Sequence, residues 1–210
     1  PYVLKLLQSP AGDLRQVLVF IWTKILAVDR SCQLDLVKDS GHNYFIGILV
    51  FFSSNERVQT SFSTAKSTSV ADDPTLAAFV LSVICDNSRP GQVACLSSNL
   101  LPLCLSLLPD ASPLLRTWLV LALAKLWDDY EEAKVAAVVE SAHERLCALL
   151  SDPVPEVRAA AVYGIGTFVG GSGGANESRK NIELNLGLTL SVVTGDASPF
   201  VRKELVIALS

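Results

Sequence analysis

No apolar run in this chain is long enough to cross a bilayer. The longest, residues 17–22, 44–52 and 118–127, fall short of the roughly 18 to 20 residues that a spanning helix needs. The start, Pro-Tyr-Val-Leu-Lys, lacks a basic stretch followed by an apolar core and a small-residue cleavage site, so no secretory signal is expected. Charge is sparse at 18%, and the 17 basic residues are scattered within a net charge of −4. Phosphate binding needs clustered Lys and Arg, so nucleic acid is not the expected partner. Histidine occurs only at His42 and His143, which leaves little material for a catalytic triad or a histidine-rich metal site. The five cysteines, Cys32, Cys85, Cys95, Cys104 and Cys147, form no Cys-x-x-Cys pair. Their apolar neighbours point to small-hydrophobe roles in a reducing compartment, with no metal and no cofactor.

What is abundant is apolar residue, half the chain, at a mean hydropathy of +0.40. Without a spanning run, such a content fits helices covered on both sides by others. Self-similarity supplies the architecture. The strings LLPDASPLLR, LLSDPVPEVR and VVTGDASPFVR end at Arg116, Arg158 and Arg202. In each, an Asp (Asp110, Asp152, Asp196) stands six positions before the Arg and a Pro (Pro113, Pro155, Pro199) three before it. The intervals, 158 − 116 = 42 and 202 − 158 = 44, match HEAT and armadillo repeats. A weaker copy aligns Ala77 with Arg116, and the earliest, LLQSPAGDLR, ends at Arg15. The long interval between these two copies places a Ser/Thr-rich loop insertion at residues 51–70.

The residue types explain the repeated string. Asp accepts backbone N–H groups at a helix start, Pro fits the first turn, and the Arg follows one turn in. An apolar helix comes next, with Trp118, Leu119, Leu121, Ala122 and Leu126 in one copy and Ala161, Val162, Ile165, Phe168 and Val169 in another. A second, amphipathic helix is expected over residues 130–150. It has Val135, Val138, Val139, Ala142, Leu146, Leu149 and Leu150 on one face, and Glu131, Glu132, Lys134, Glu140, Glu144 and Arg145 on the other. The expectation is an all-α HEAT/armadillo solenoid of about four to five stacked repeats, one architecture over residues 1–210. A flexible loop is expected at residues 170–178. Residues 1–7 read as the end of a helix and the last ten residues stop inside one, so a larger parent solenoid is expected.

Two motif-like strings are weak. His143-Glu144 lacks the second histidine of a zinc-protease helix, and Gly164-Ile165-Gly166 with Gly170 follows no strand. A surface pair and close helix packing are the preferred readings. Arg116, Arg158 and Arg202 are expected to pair with the repeat aspartates across adjacent units, ahead of a ligand-binding basic stripe. Asp86 and Asn87 in one loop, with Lys125 as a charge inside an apolar helix, are the candidate protein contacts.

Beyond the generic repeat, four stretches carry a specific resemblance: LVFIWTKILAVDRSCQLDLVKDSGHNYF (18–45), GQVACL (91–96), SAHERLCALLSDPVPEVRAAAVYGIGTFVG (141–170) and SPFVRKELVIALS (198–210). They closely resemble the Raptor family, the regulatory-associated proteins of the TOR kinase, across nearly the whole chain. Departures fall at 51–70, where the family has a shorter connection, and around 128–139. The resemblance implies a non-catalytic scaffold in TOR signalling and growth control. Such proteins carry a caspase-like domain, a helical solenoid and a WD40 propeller, and this chain is similar to the middle of the solenoid. Implied partners are the TOR kinase, Rag-type small GTPases in animals, and TOR substrates. The implied location is cytoplasmic, with recruitment to lysosomal or vacuolar surfaces through partners. Alternatives are a HEAT adaptor of the transport-receptor kind and, from a different class, an enzyme, for which no catalytic constellation stands in the sequence.

Overall fold

Turn chemistry divides the chain into helices too short to be stable alone. A computed structural model describes residues 12–59, 74–170 and 177–210. Among them are twelve α-helices and no strand: α1 (Gly12–Val28), α2 (Arg30–Lys38), α3 (Gly41–Gln59), α4 (Pro74–Cys85), α5 (Arg89–Ser97), α6 (Leu100–Leu107), α7 (Pro113–Trp127), α8 (Glu131–Val139), α9 (Ala142–Leu149), α10 (Pro155–Val169), α11 (Glu177–Ser191) and α12 (Pro199–Ala208). A 3₁₀ turn, Val192–Gly195, precedes α12.

The helices fall into units. α2, α3 and α4 form one, α5, α6 and α7 the next, and α8, α9 and α10 the third; α11, the 3₁₀ turn and α12 follow. The last helix of each unit packs on that of the next, so α4, α7, α10 and α12 make a continuous layer. Its residues are buried on both sides: Leu119, Val120, Leu123, Leu126 and Trp127 in α7, and Val157, Val162, Ile165 and Phe168 in α10. Each such side chain taken fully from water contributes about 1.5–3 kcal/mol, enough to hold helices that propensity alone does not.

The expected helix over 130–150 is two helices. Ser141 takes φ 52° and breaks the run, as Asn99 does at φ 60° between α5 and α6. Both turns leave the right-handed region at the same point of the unit, 141 − 99 = 42 positions apart. Asn87 and Asp129 do so at the turn before the first helix, again 42 positions apart. The break redirects the faces expected from one continuous helix. Val135 and Val139 are 52% and 78% exposed, whereas Lys134, placed on the polar face, is buried. Ala133, Ala137, Ala142 and Leu146 form the actual buried side.

The expected loop at 51–70 is also shorter than read, since α3 continues to Gln59; the remainder lies outside the described residues. In 170–178, Gly170 ends α10 and α11 begins at Glu177, while 171–176 lie outside the description, as do residues 1–7. The small residues of α10 do serve close packing. A Cβ on Gly164 would stand 2.8 Å from a Leu146 methyl, so a larger residue there would have to displace it.

Candidate protein-docking surface

The repeated Asp and Arg meet across units. Arg116 places Nε and Nη2 on the two carboxylate oxygens of Asp152, at 2.9 and 3.0 Å. Arg158 does the same to Asp196, at 2.7 and 2.9 Å. The third guanidinium nitrogen donates inside its own unit, from Arg116 to the carbonyls of Asp110 and Ala111, and from Arg158 to those of Asp152 and Pro153. Arg202 repeats this internal half on Asp196 and Ala197. Each Asp also receives the backbone N–H two residues on, Ser112, Val154 or Ser198. The Asp therefore holds the turn, while the N-cap position itself is Ser112, Val154 or Ser198 and the Pro follows it. The planar guanidinium fork matches a carboxylate in two bonds. Arg116 and Arg158 are thus occupied by stacking and are not free to form a basic stripe, while Arg202 shows the internal half alone.

A second set of bonds, each tying the first helix of a unit to the end of its last helix, was not read from the sequence. Buried Gln33 of α2 donates to the Val83 carbonyl near the end of α4, at 3.2 Å. Buried Gln92 of α5 donates to the carbonyls of Lys125 and Asp128 at the end of α7, at 2.9 and 2.8 Å. Lys134 of α8, 42 positions after Gln92, donates to Gly170 at the end of α10. The last carbonyls of a helix lack internal partners, and here one buried donor per unit supplies them. Burial depresses the Lys134 ammonium pKa, with nearby Arg179 adding to the effect. The sequence signal was faint: a Gln at 92 and a Lys at 134 share register but not chemistry.

The proposed contact residues come together only in part. Lys125 of α7 forms an ion pair with Asp86 at 2.8 Å and lies 5.2 Å from the centroid of the Tyr163 ring. Burial alone would lower the Lys125 pKa, but hydrogen bonds to Asp86 and Tyr163 outweigh it and raise it. Its charge is therefore tethered. Asn87, in the left-handed turn, is exposed and lies beside Asp86, its amide 3.4 Å from that carboxylate. Asn87, Arg89, Gln92, Asp128 and Asp129 line a small polar recess at this turn. Burial raises the Asp128 carboxyl pKa there, Lys125 opposing it.

Beside Lys125 the layer of last helices opens into a groove of about 480 Å³. α7 contributes Thr117, Leu121 and Lys125; α10 contributes Glu156, Ala159, Ala160 and Tyr163; α12 contributes Phe200 and Glu204. Phe200 is 52% exposed. That volume lies within the range of about 300–1,000 Å³ seen for sites that enclose ligands.

The described residues hold no group of three or more His, Cys, Asp or Glu placed for a metal ion. His143 stacks on Phe168 at 6.3 Å, and its buried Nδ1 has no hydrogen-bond partner. Cys85, Cys95 and Cys104 are buried free thiols, Cys104 with its pKa pushed far up by burial, which suits packing and not reactivity. No described helix is long and apolar enough to cross a membrane.

Comparisons with known proteins match these features. A HEAT-repeat family model covers residues 144–171, the stretch that carries Asp152 and Arg158. The chain is 60% identical over 194 residues, 92% of its length, to the protein raptor homolog of Dictyostelium discoideum. It is 43% identical over 210 residues, all of its length, to the target of rapamycin complex 1 subunit mip1 of Schizosaccharomyces pombe. It spans only 12% and 15% of those two proteins. The crystal structure of Chaetomium thermophilum Raptor superposes with a TM-score of 0.79 at 39% identity, over all of this chain and 19% of that one.

Proposed function

The chain corresponds to a HEAT/armadillo segment of the Raptor family, and from that premise we propose that it serves as a docking part of a TOR complex subunit. The observation that carries the reading is identity over the full chain length, 43% to a protein named as a subunit of target of rapamycin complex 1. The architecture supports it physically. Stacked units bury their apolar faces on one another and leave long outer surfaces for partners, and Arg116, Arg158 and the buried thiols are engaged in structure. In this reading the solenoid docks the TOR kinase and Rag-type small GTPases and supports substrate recruitment. Its place is the cytoplasm, with recruitment to lysosomal or vacuolar surfaces through those partners. Asp86, Asn87 and Lys125 are the proposed contact residues.

Affinity purification of the full-length parent protein tests this. A TOR kinase among the co-purifying proteins is the expected outcome. Recovery of transport GTPases without any TOR kinase would overturn it in favour of a transport adaptor.

A further inference from the structure

The groove across α7, α10 and α12 has a cause in the repeat itself. Shifted by the unit spacing, Trp118 of α7 corresponds to Ala160 of α10 and Glu204 of α12. Where α7 fills the surface with an indole packed 4.5 Å from the Phe79 ring, α10 presents a methyl group. Ala159 beside it is equally small, so the floor of the groove is nearly bare helix. Leu121, Tyr163 and Phe200 form its apolar sides.

Its charge is one-sided. Lys125 is the only cation lining it, and that charge is taken by Asp86 at 2.8 Å. Glu156 and Glu204 make no ion pair among the described residues. Glu156 gains from the first turn of α10, where a negative charge suits the helix dipole. Glu204 lies in the body of α12 and has no such reason to be acidic. Two carboxylates beside an apolar trough complement a cation adjacent to an apolar side chain, and they repel phosphate, so nucleic acids and anionic lipid surfaces do not fit.

We propose that this groove binds an extended segment of another protein, one carrying a Lys or Arg that meets Glu156 and Glu204 next to an apolar residue seated over Ala159 and Ala160 against Tyr163 and Phe200. An extended strand presents alternate side chains to one surface, which suits a trough lined by three successive last helices. The inference goes beyond the TOR assignment and does not depend on it.

The test uses the full-length protein and fluorescently labelled eight-residue peptides, one alternating Arg and Leu, one alternating Glu and Leu, and one alternating Arg and Ser, read by anisotropy. The Arg/Leu peptide is expected to bind saturably and each of the other two at least about fivefold more weakly, since both the charge and the apolar anchor are required. The double variant E156Q/E204Q is expected to weaken the Arg/Leu peptide by at least about fivefold. Ala160→Trp is expected to abolish binding by filling the trough; α7 shows that the architecture carries a Trp at this register. No saturable binding, equal binding of either comparison peptide, or a smaller loss in both variants overturns the proposal. Recovery of a TOR kinase with the same variants, measured in parallel, separates failure of the groove from failure of the assembly reading.

Discussion

Arg158 shows how much rests on one side chain. Its side chain is 15% accessible and that of its partner Asp196 is 11% accessible, so water competes weakly for either. Removing one partner strands the other's charge. Arg158→Ala is expected to cost about 2–4 kcal/mol in chemical denaturation, and Arg158→Lys is expected to recover less than half of that, because an ammonium cannot span both carboxylate oxygens. Acid probes the same bond. Hydrogen bonding from Arg158 outweighs burial and holds the Asp196 carboxyl below the ordinary value of 3.8. A lowered folded pKa means that the stabilisation is complete above the unfolded value and is lost as pH falls through the folded one. Stability is therefore expected to drop below about pH 4, and Asp196→Asn, which has no proton to gain, is expected to show a shallower drop when denaturation midpoints at pH 5 and pH 3 are compared.

Helix ends set the geometry of each unit. α7 ends in carbonyls that no later turn can satisfy, and Gln92 reaches them from α5, 4% exposed. Gln92→Leu preserves bulk but leaves the Lys125 and Asp128 carbonyls without this donor. We expect a loss of about 1–3 kcal/mol, read from the thermal unfolding midpoint, while Gln92→Glu is expected to be at least as damaging because a carboxylate cannot donate. Gly91, one residue earlier, shows how close α5 comes: a Cβ there would fall 2.0 Å from the Ile84 carbonyl oxygen. The approach of α5 to α4 is thus what requires glycine at 91.

Across the whole molecule, stability is a chain of neighbour contacts. Each unit packs its last helix on that of the next, and Arg116–Asp152 and Arg158–Asp196 add a pair at the last two of these interfaces. In such an array, weakening one interface uncouples what lies beyond it and leaves the far side intact. Arg158→Ala is accordingly expected to speed amide hydrogen exchange in α12 strongly and in α4 hardly at all. Uniform acceleration from α4 to α12 would show a single cooperative unit instead.

The repeat register was legible because it is local chemistry written three times. The Asp that holds a turn, the Pro that opens a helix and the Arg behind them lie within seven residues, and their recurrence at 42 and 44 positions names the architecture. The same locality made 130–150 misleading. Apolar spacing runs unbroken across Ser141, and only the left-handed turn there separates two helices with different buried faces. Asp86 and Lys125 were read as separate candidate contacts, one in a loop and one on a helix, yet they are one ion pair, 39 positions apart. Glu156, Glu204 and Phe200 passed unnoticed because none is unusual on its own helix.

The amino-acid sequence by itself determined the class of fold, its period and the residues that link the units, since each follows from interactions between near neighbours along the chain. The stacking of helices about forty positions apart decided the rest: that Lys134 is buried, that Lys125 is spoken for, and that an alanine in α10 opposite larger side chains leaves a groove. Such outcomes depend on which surfaces meet and what volume remains between them, quantities that a one-dimensional pattern does not contain.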